Sequence, residues 1–257
     1  MHKDTGGFMK KDKYMDNIDI TGVSSLELEP AERELEYEKY YEGLARKNLE
    51  HVRKGEVKTR YGRAPNDREN WGIWHIETES HTFPILKSHL DRLFGLDKKY
   101  KTGLDLGCGT VTFFDLIDVE DSVLIDLSQS YCEFMRKKGW NVMQANAEAI
   151  PLSDRWADII VCSDILEHAP SFDKVLNEVE RVLRDDGVLL VSVPWKQDLN
   201  FPQKAKQGFT HLRRFDDENI KERFGGWKIL SSEVIEEKRY GKKKCIATIN
   251  LILKKKQ

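Results

Sequence analysis

After Lys101 the chain breaks into short apolar runs separated by segments of helical spacing, and few folds accept that alternation. The runs span Thr102 to Leu106, Val123 to Asp126, Asn141 to Ala145, Ala157 to Cys162 and Val188 to Val193. This is the pattern of parallel strands joined by crossover helices, with both faces of the sheet covered. Helical spacing is brief after Gly109, clearer over Ser130 to Lys138, and strongest over Phe172 to Leu183, where Val175, Leu176, Val179, Val182 and Leu183 share one face. Two more strands, near Trp227 to Ile235 and Cys245 to Leu253, are expected to form an antiparallel edge. The fold class is therefore α/β, a doubly wound sheet.

A length of 257 residues allows one such core plus an elaboration. Residues 1–26 are polar, glycine-containing and without periodicity, and read as a flexible leader. Residues 27–92 read as an N-terminal helical extension, and 93–257 as the sheet domain. Within the extension, Leu35, Tyr37, Tyr40, Tyr41, Leu44, Leu49 and Val52 suit one or two helices between Pro30 and Lys54. Gly55 to Trp74 reads as a loop on the strength of Gly62, Pro65, Asn66 and Gly72, and a helix is expected from near His81 to about Leu93.

Acidic and basic residues nearly cancel, 44 against 42, so charge alone gives no reason to expect a nucleic-acid or membrane partner. No apolar stretch approaches the ~20 residues needed to cross a bilayer, and Met1-His2-Lys3-Asp4 lacks the apolar core of a signal peptide. The four cysteines, Cys108, Cys132, Cys162 and Cys245, show no CxxC spacing. A reducing cytoplasm is expected, and no metal site.

The segment Thr102 to Thr110 is a buried strand running into a glycine turn at the start of a helix. Ligands of open α/β sheets lie beyond the carboxyl ends of the strands, where strand order reverses. Amide groups of such a turn, with the helix start behind them, can hold a carboxylate. A nicotinamide dinucleotide site would want G-x-G-x-x-G, but counting from Gly107 the last glycine position is Thr112. The next strand ends in Asp126, whose carboxylate can accept both hydroxyls of a ribose.

On these residues the sequence resembles the class I S-adenosylmethionine-dependent methyltransferases, in particular the small-molecule branch that includes ubiquinone and menaquinone methyltransferases. Five blocks match in order: GLDLGCGT at Gly103 to Thr110, VLIDLS at Val123 to Ser128, NAEAIPL at Asn146 to Leu152, DIIVCSDILEH at Asp158 to His168, and VLRDDGVLLVSVP at Val182 to Pro194. The resemblance implies a Rossmann-like, seven-stranded sheet, mostly parallel with an antiparallel last strand. It places Asp105, Gly107, Cys108 and Gly109 around the methionine part of S-adenosylmethionine, Asp126 on the ribose, and Leu127 and Ser128 beside the adenine. Asn146 stands where the family usually has Asp, with Ala147 and Glu148 next to it, and Val111 replaces a frequent third glycine. Ser163 and Asp164 would line the space near the transferable methyl, Ser163 on the cofactor side and Asp164 on the acceptor side.

The reaction implied is in-line transfer of a methyl group to oxygen, nitrogen or carbon of a small metabolite, leaving S-adenosylhomocysteine. His168 is the first candidate general base and His211 a second, each with packing or backbone bonding as the alternative. Arg213 suits an anionic acceptor, or else holds its loop on the sheet. Trp74 and Trp195 are candidates to face the acceptor, and the Trp71–Ile76 block to close over it as a lid. No NPPY-like tetrad follows the fourth strand, which disfavours base modification on nitrogen. RNA or protein methylation, and a cofactor-binding module without turnover, stand as alternatives.

Overall fold

The computed structural model describes residues 30–53, 71–196, 211–238 and 245–256. Seven strands form one sheet: β1 (Lys99–Leu106), β2 (Asp118–Asp126), β3 (Val142–Gln144), β4 (Ala157–Ser163), β5 (Leu183–Trp195), β6 (Trp227–Lys238) and β7 (Cys245–Lys255). Their order is β3-β2-β1-β4-β5-β7-β6, and only β7 runs against the others. The expected antiparallel strand is thus β7, inserted between β5 and β6 rather than left at the edge. The order reverses beside β1, so the loops after β1, β2 and β4 converge at one end of the sheet.

Helices cover both faces. Along each central strand alternate residues belong to opposite cores. Leu104, Leu106, Ile160, Cys162, Leu189, Val191 and Val193 pack with the apolar face of α4 (Phe172–Val182) and with Phe215 and Phe224. Leu124, Ile159, Val161, Leu190 and Ile252 pack with Phe83, Leu86 and Leu90 of α2 (Trp71–Phe94) and with Cys132 and Met135 of α3 (Gln129–Lys137). A 3-10 turn over Phe113–Asp115 follows the glycine loop, and a short helix α5 (Ile220–Arg223) precedes β6.

In the extension one expectation is narrowed and another corrected. A single helix, α1 (Pro30–Arg53), occupies the first segment. The second helix begins at Trp71, within the stretch read as a loop, and continues past Pro84. A lone Gly72 is tolerated near a helix start, and Pro84 is exposed, so its ring and missing N–H are absorbed on the solvent side. The strand β5 also starts earlier than expected, because Leu183 pairs with Ala157 directly after α4. Among the described residues no helix is long and apolar enough to cross a membrane.

Candidate functional site

The turn after β1 is tied to the end of β2: the amides of Gly107 and Cys108 both donate to the carbonyl of Ile125, at 2.7 and 3.2 Å. Gly107 (φ +70°) and Gly109 (φ +51°) take the left-handed conformation that side chains resist, but for different ends. A Cβ on Gly107 would lie 2.1 Å from Ile165 Cγ2, so this glycine lets the loop after β4 close against the turn. A Cβ on Gly109 would meet nothing within 4 Å, so that backbone faces open space where a ligand can approach.

Asp105 supports the turn from below. Its buried carboxylate accepts from Thr112 Oγ1 at 2.5 Å, and burial, opposed by bonds from Thr112 and the Phe113 amide, pushes it up to about 7. Expected around the cofactor's methionine part, it braces the protein's own loop instead. The Cys108 side chain likewise belongs to the core under α2 and α3.

At the end of β2, Asp126 receives the Gly109 amide on Oδ2 at 2.9 Å and the Ser128 amide on Oδ1 at 2.8 Å. A carboxylate has about four lone-pair directions, so it keeps capacity for a ligand hydroxyl beyond these amides. Burial pushes this group up to about 6, against the lowering effect of the Ser128, Gly109 and Leu127 amides. Leu127 lends its carbonyl to Gln144 Nε2 at 3.1 Å. Ser128 caps α3 by accepting from the Tyr131 amide.

A residue that sequence reasoning missed completes this corner. Glu42 of α1 accepts from Ser128 Oγ (2.8 Å), the Ser130 amide (3.1 Å), Ser130 Oγ (2.5 Å) and Arg46 Nε (2.8 Å). It sits at the positive end of α3 and ties the extension to the loop after β2. Burial raises its carboxyl, but bonds from Ser130, Arg46 and Ser128 prevail and lower it to about 2. A group held below its unfolded value stabilises fully above about pH 4.5 and loses that contribution as pH falls toward about 2. Glu42→Gln is therefore expected to cost about 1–3 kcal/mol at neutral pH and to flatten the acid limb, as urea unfolding from about pH 3 to 7 would read.

After β3, the Asn146 amide oxygen accepts from the Glu148 amide at 2.9 Å, and Ala147 packs at the rim of the α4-side core. The Glu148 carboxylate turns away from the turn: it accepts from the Ser171 amide at 2.6 Å and approaches Lys174 Nζ at 3.6 Å. It fixes the start of α4, which corrects its assignment to the cofactor.

The loop after β4 gathers the acceptor-side candidates. Asp164 takes φ +51°, and its amide donates to the Ser192 carbonyl at 2.8 Å. Burial raises both Asp164 and Glu167 above the usual carboxylate range. His168 and His211 meet edge to face with ring centroids 4.6 Å apart, and Tyr41 of α1 stands edge-on to His168 at 5.8 Å. The Tyr37 hydroxyl donates to the His168 carbonyl at 3.0 Å. Thus α1 bonds to the loop after β2 through Glu42 and to the loop after β4 through Tyr37.

Of the two readings of Arg213, the structure matches the one in which it holds backbone. Its guanidinium is buried and donates to the carbonyls of Leu166 (2.9 Å), Ala169 and Pro170 (2.9 Å). Its charge is spent on the backbone of the loop after β4, so it is not offered to an anionic acceptor. Trp195 packs on the α4-side core and pairs with Phe215. The Trp74 side chain, like residues 208–210 of the expected acceptor loop, lies outside the described residues.

Sequence reading singled out Ser163 but not the row to which it belongs. Ser163, Ser192 and Asn250 stand in register across β4, β5 and β7. All three are buried, and Ser163 Oγ, Ser192 Oγ and both amide atoms of Asn250 have no hydrogen-bond partner among the described residues. By strand alternation they share the face of Asp105, opposite to Trp195. The signal was available: serine and asparagine interrupt otherwise apolar runs. Orphaned buried polar groups are costly, and a row of them calls for a ligand or water.

Comparison with known proteins agrees with this geometry. Residues 104–191 match the methyltransferase domain family. The ubiquinone/menaquinone biosynthesis C-methyltransferase of Haemophilus ducreyi is 32% identical over 149 residues, covering 53% of this chain and 55% of that protein. The chain spans about half the length of the curated relatives it matches. A chain of the Haloferax volcanii complex between the Trm112 methyltransferase activator and a methyltransferase superposes with TM-score 0.56 at 12% identity, covering 70% of this chain and 92% of that one. The Burkholderia thailandensis 1,6-didemethyltoxoflavin-N1-methyltransferase, solved with its substrate and S-adenosylhomocysteine, gives 0.52 at 15% identity, covering 71% and 81%. The sheet shares its fold with both of these solved structures. Over residues 104–191 the chain is similar to the methyltransferase domain family.

Proposed function

We propose that this chain binds S-adenosylmethionine at the Gly109–Asp126 turn and transfers its methyl group to a small-molecule acceptor held over Ser163, Ser192 and Asn250. The observation that carries the reading is the pairing of an open backbone at Gly109 with a carboxylate, Asp126, that two amides hold in place while leaving it lone pairs. The cofactor supplies a methyl carbon already activated by a sulfonium. The chain's task is then orientation and exclusion of water, and orientation of this kind contributes ~7–11 kcal/mol.

Asp126 would accept both ribose hydroxyls, and Gly107 and Gly109 would let the methionine part approach the backbone. Helix α1, bonded to both flanking loops, would cover the site from the solvent side. This role was expected of the Trp71–Ile76 block. An acceptor held over Ser163, Ser192 and Asn250 would come up to the Glu167, His168 and His211 cluster, which gathers beside the loop after β4. The products are the methylated acceptor and S-adenosylhomocysteine.

A panel of small metabolites, with RNA and protein fractions included, tests this when S-adenosylhomocysteine and methylated product are both detected by mass. Release of S-adenosylhomocysteine with a small methylated product is expected. Methyl incorporation into RNA or protein alone would move the acceptor to a macromolecule. Cofactor binding with no release across the panel would leave a binding module without turnover.

A further inference from the structure

Glu167 is 1% exposed, and neither of its carboxylate oxygens accepts a hydrogen bond from another residue among the described residues. Burying a carboxylate without partners costs several kcal/mol. Two of the chain's other buried acids are held differently: Asp105 has Thr112, and Asp126 has Gly109 and Ser128. What stands near Glu167 is a pair of imidazoles. His168 Nε2 lies 3.9 Å from Glu167 Oε1, and one ligand atom from each of Glu167, His168 and His211 lies within 4.8 Å of the other two.

We propose that Glu167, His168 and His211 form a binding site for one divalent cation of the zinc class. Two imidazole nitrogens and a carboxylate suit such an ion, and ligands at bond lengths of about 2.0–2.2 Å around a tetrahedral centre stand about 3.3 Å apart. From separations of up to 4.8 Å the three groups need close by at most about 1.5 Å to reach that spacing, a movement that side-chain torsions supply. A divalent ion also gives the buried carboxylate a directly bonded counter-charge, beyond the Arg213 guanidinium that acts on it without a hydrogen bond.

The arrangement is braced from outside, as metal ligands are. Glu167 and His168 come from the loop after β4, while His211 arrives from a separate segment. Those two segments are fastened by the Leu212 amide on the Glu167 carbonyl at 2.7 Å and by Arg213 on the carbonyls of Leu166, Ala169 and Pro170. The role of Arg213, out of place for substrate binding, becomes that of a positioning residue for His211. Tyr37 fixes the His168 backbone from the other side. Three protein donors leave a fourth position for water or an acceptor oxygen, the pattern of reactive rather than purely structural sites. No CxxC-like spacing announces the cluster, which is why no metal was expected from the sequence.

The assignment does not depend on methyl transfer, because metal binding is read without cofactor or acceptor. Full-length protein is stripped with a chelator, dialysed against zinc sulfate, and assayed for metal by mass spectrometry and for thermal stability. About one zinc per chain and a melting temperature raised by several degrees are expected. In Glu167→Gln and His211→Ala the affinity is expected to fall at least ~100-fold. Glu167→Gln keeps the side-chain shape and removes a buried charge, so its metal-free form should fold at least as well as the parent. Cobalt(II) provides a reading without variants, since a bound ion shows visible d–d absorption that zinc displaces. Retention of less than roughly a tenth of an equivalent of zinc, or the same stoichiometry and thermal shift in Glu167→Gln, would overturn the proposal.

Discussion

Replacing Asp126 by alanine is expected to weaken S-adenosylhomocysteine binding by about 100-fold or more. Two ribose hydroxyls bonded to a charged acceptor account for about 1.5–3 kcal/mol each, and the substitution also strips the Gly109 and Ser128 amides of the group that fixes the loop. Asp126→Asn separates these effects, because it keeps the shape and an acceptor but not the charge. Its loss should be smaller. Burial pushes the Asp126 carboxyl up to about 6, and the ionised form is the one that accepts from both hydroxyls. Affinity in the parent should therefore rise as pH climbs through about 6, and that step should vanish in Asp126→Asn. The stability sign is opposite: a carboxyl raised on folding helps the fold fully below about pH 4, and the help is lost as pH rises through about 6. Calorimetry across this range, paired with unfolding curves, reads both. A pH step that survives in Asp126→Asn would assign it to another group.

The second large effect falls on Gly107. Gly107→Ala places a Cβ 2.1 Å from Ile165 Cγ2 on a backbone already at φ +70°. Strain at a left-handed position costs about 1 kcal/mol or more, and overpacking a closed contact adds about 1–3 kcal/mol. A destabilisation of about 3 kcal/mol in denaturant unfolding is expected, with loss of cofactor binding as the loop after β4 is pushed off the turn. Gly109→Ala is the informative partner, since its Cβ meets open space and only the backbone term applies. Its stability should suffer by about 1 kcal/mol, while cofactor affinity falls sharply if the ligand occupies that space. Equal stability losses at the two positions would refute the division of labour drawn here.

The sheet was legible because its central strands are apolar on both faces, a pattern that neither surface strands nor amphipathic helices produce. Strand ends, the glycine turn and Asp126 followed from that frame. The start of α2 was not legible: Gly72 and the mixed residues around it look like loop chemistry, and helix formation there is decided by the rest of the element. Glu42 was invisible for a different reason. Its partners, Ser128 and Ser130, are far along the chain, and only packing of α1 over α3 brings a routine helix glutamate to a helix N-terminus. Arg213 shows the limit of reading chemistry from residue type. A guanidinium near an acceptor loop suggests an anion, yet three backbone carbonyls claim it. Glu148 fails likewise, because Ser171 holds its carboxylate at 2.6 Å. Residue adjacency pointed to the right loops, while side-chain direction required the fold.

A crystal structure of the full chain grown with S-adenosylhomocysteine puts the central assignment to the plainest test. The ribose hydroxyls should lie within hydrogen-bond distance of the Asp126 oxygens, with the ligand's backbone-facing edge against Gly109. A nucleoside bound elsewhere on the sheet, or the same crystals taking up a nicotinamide dinucleotide at Gly109 and Asp126 in its place, would contradict it.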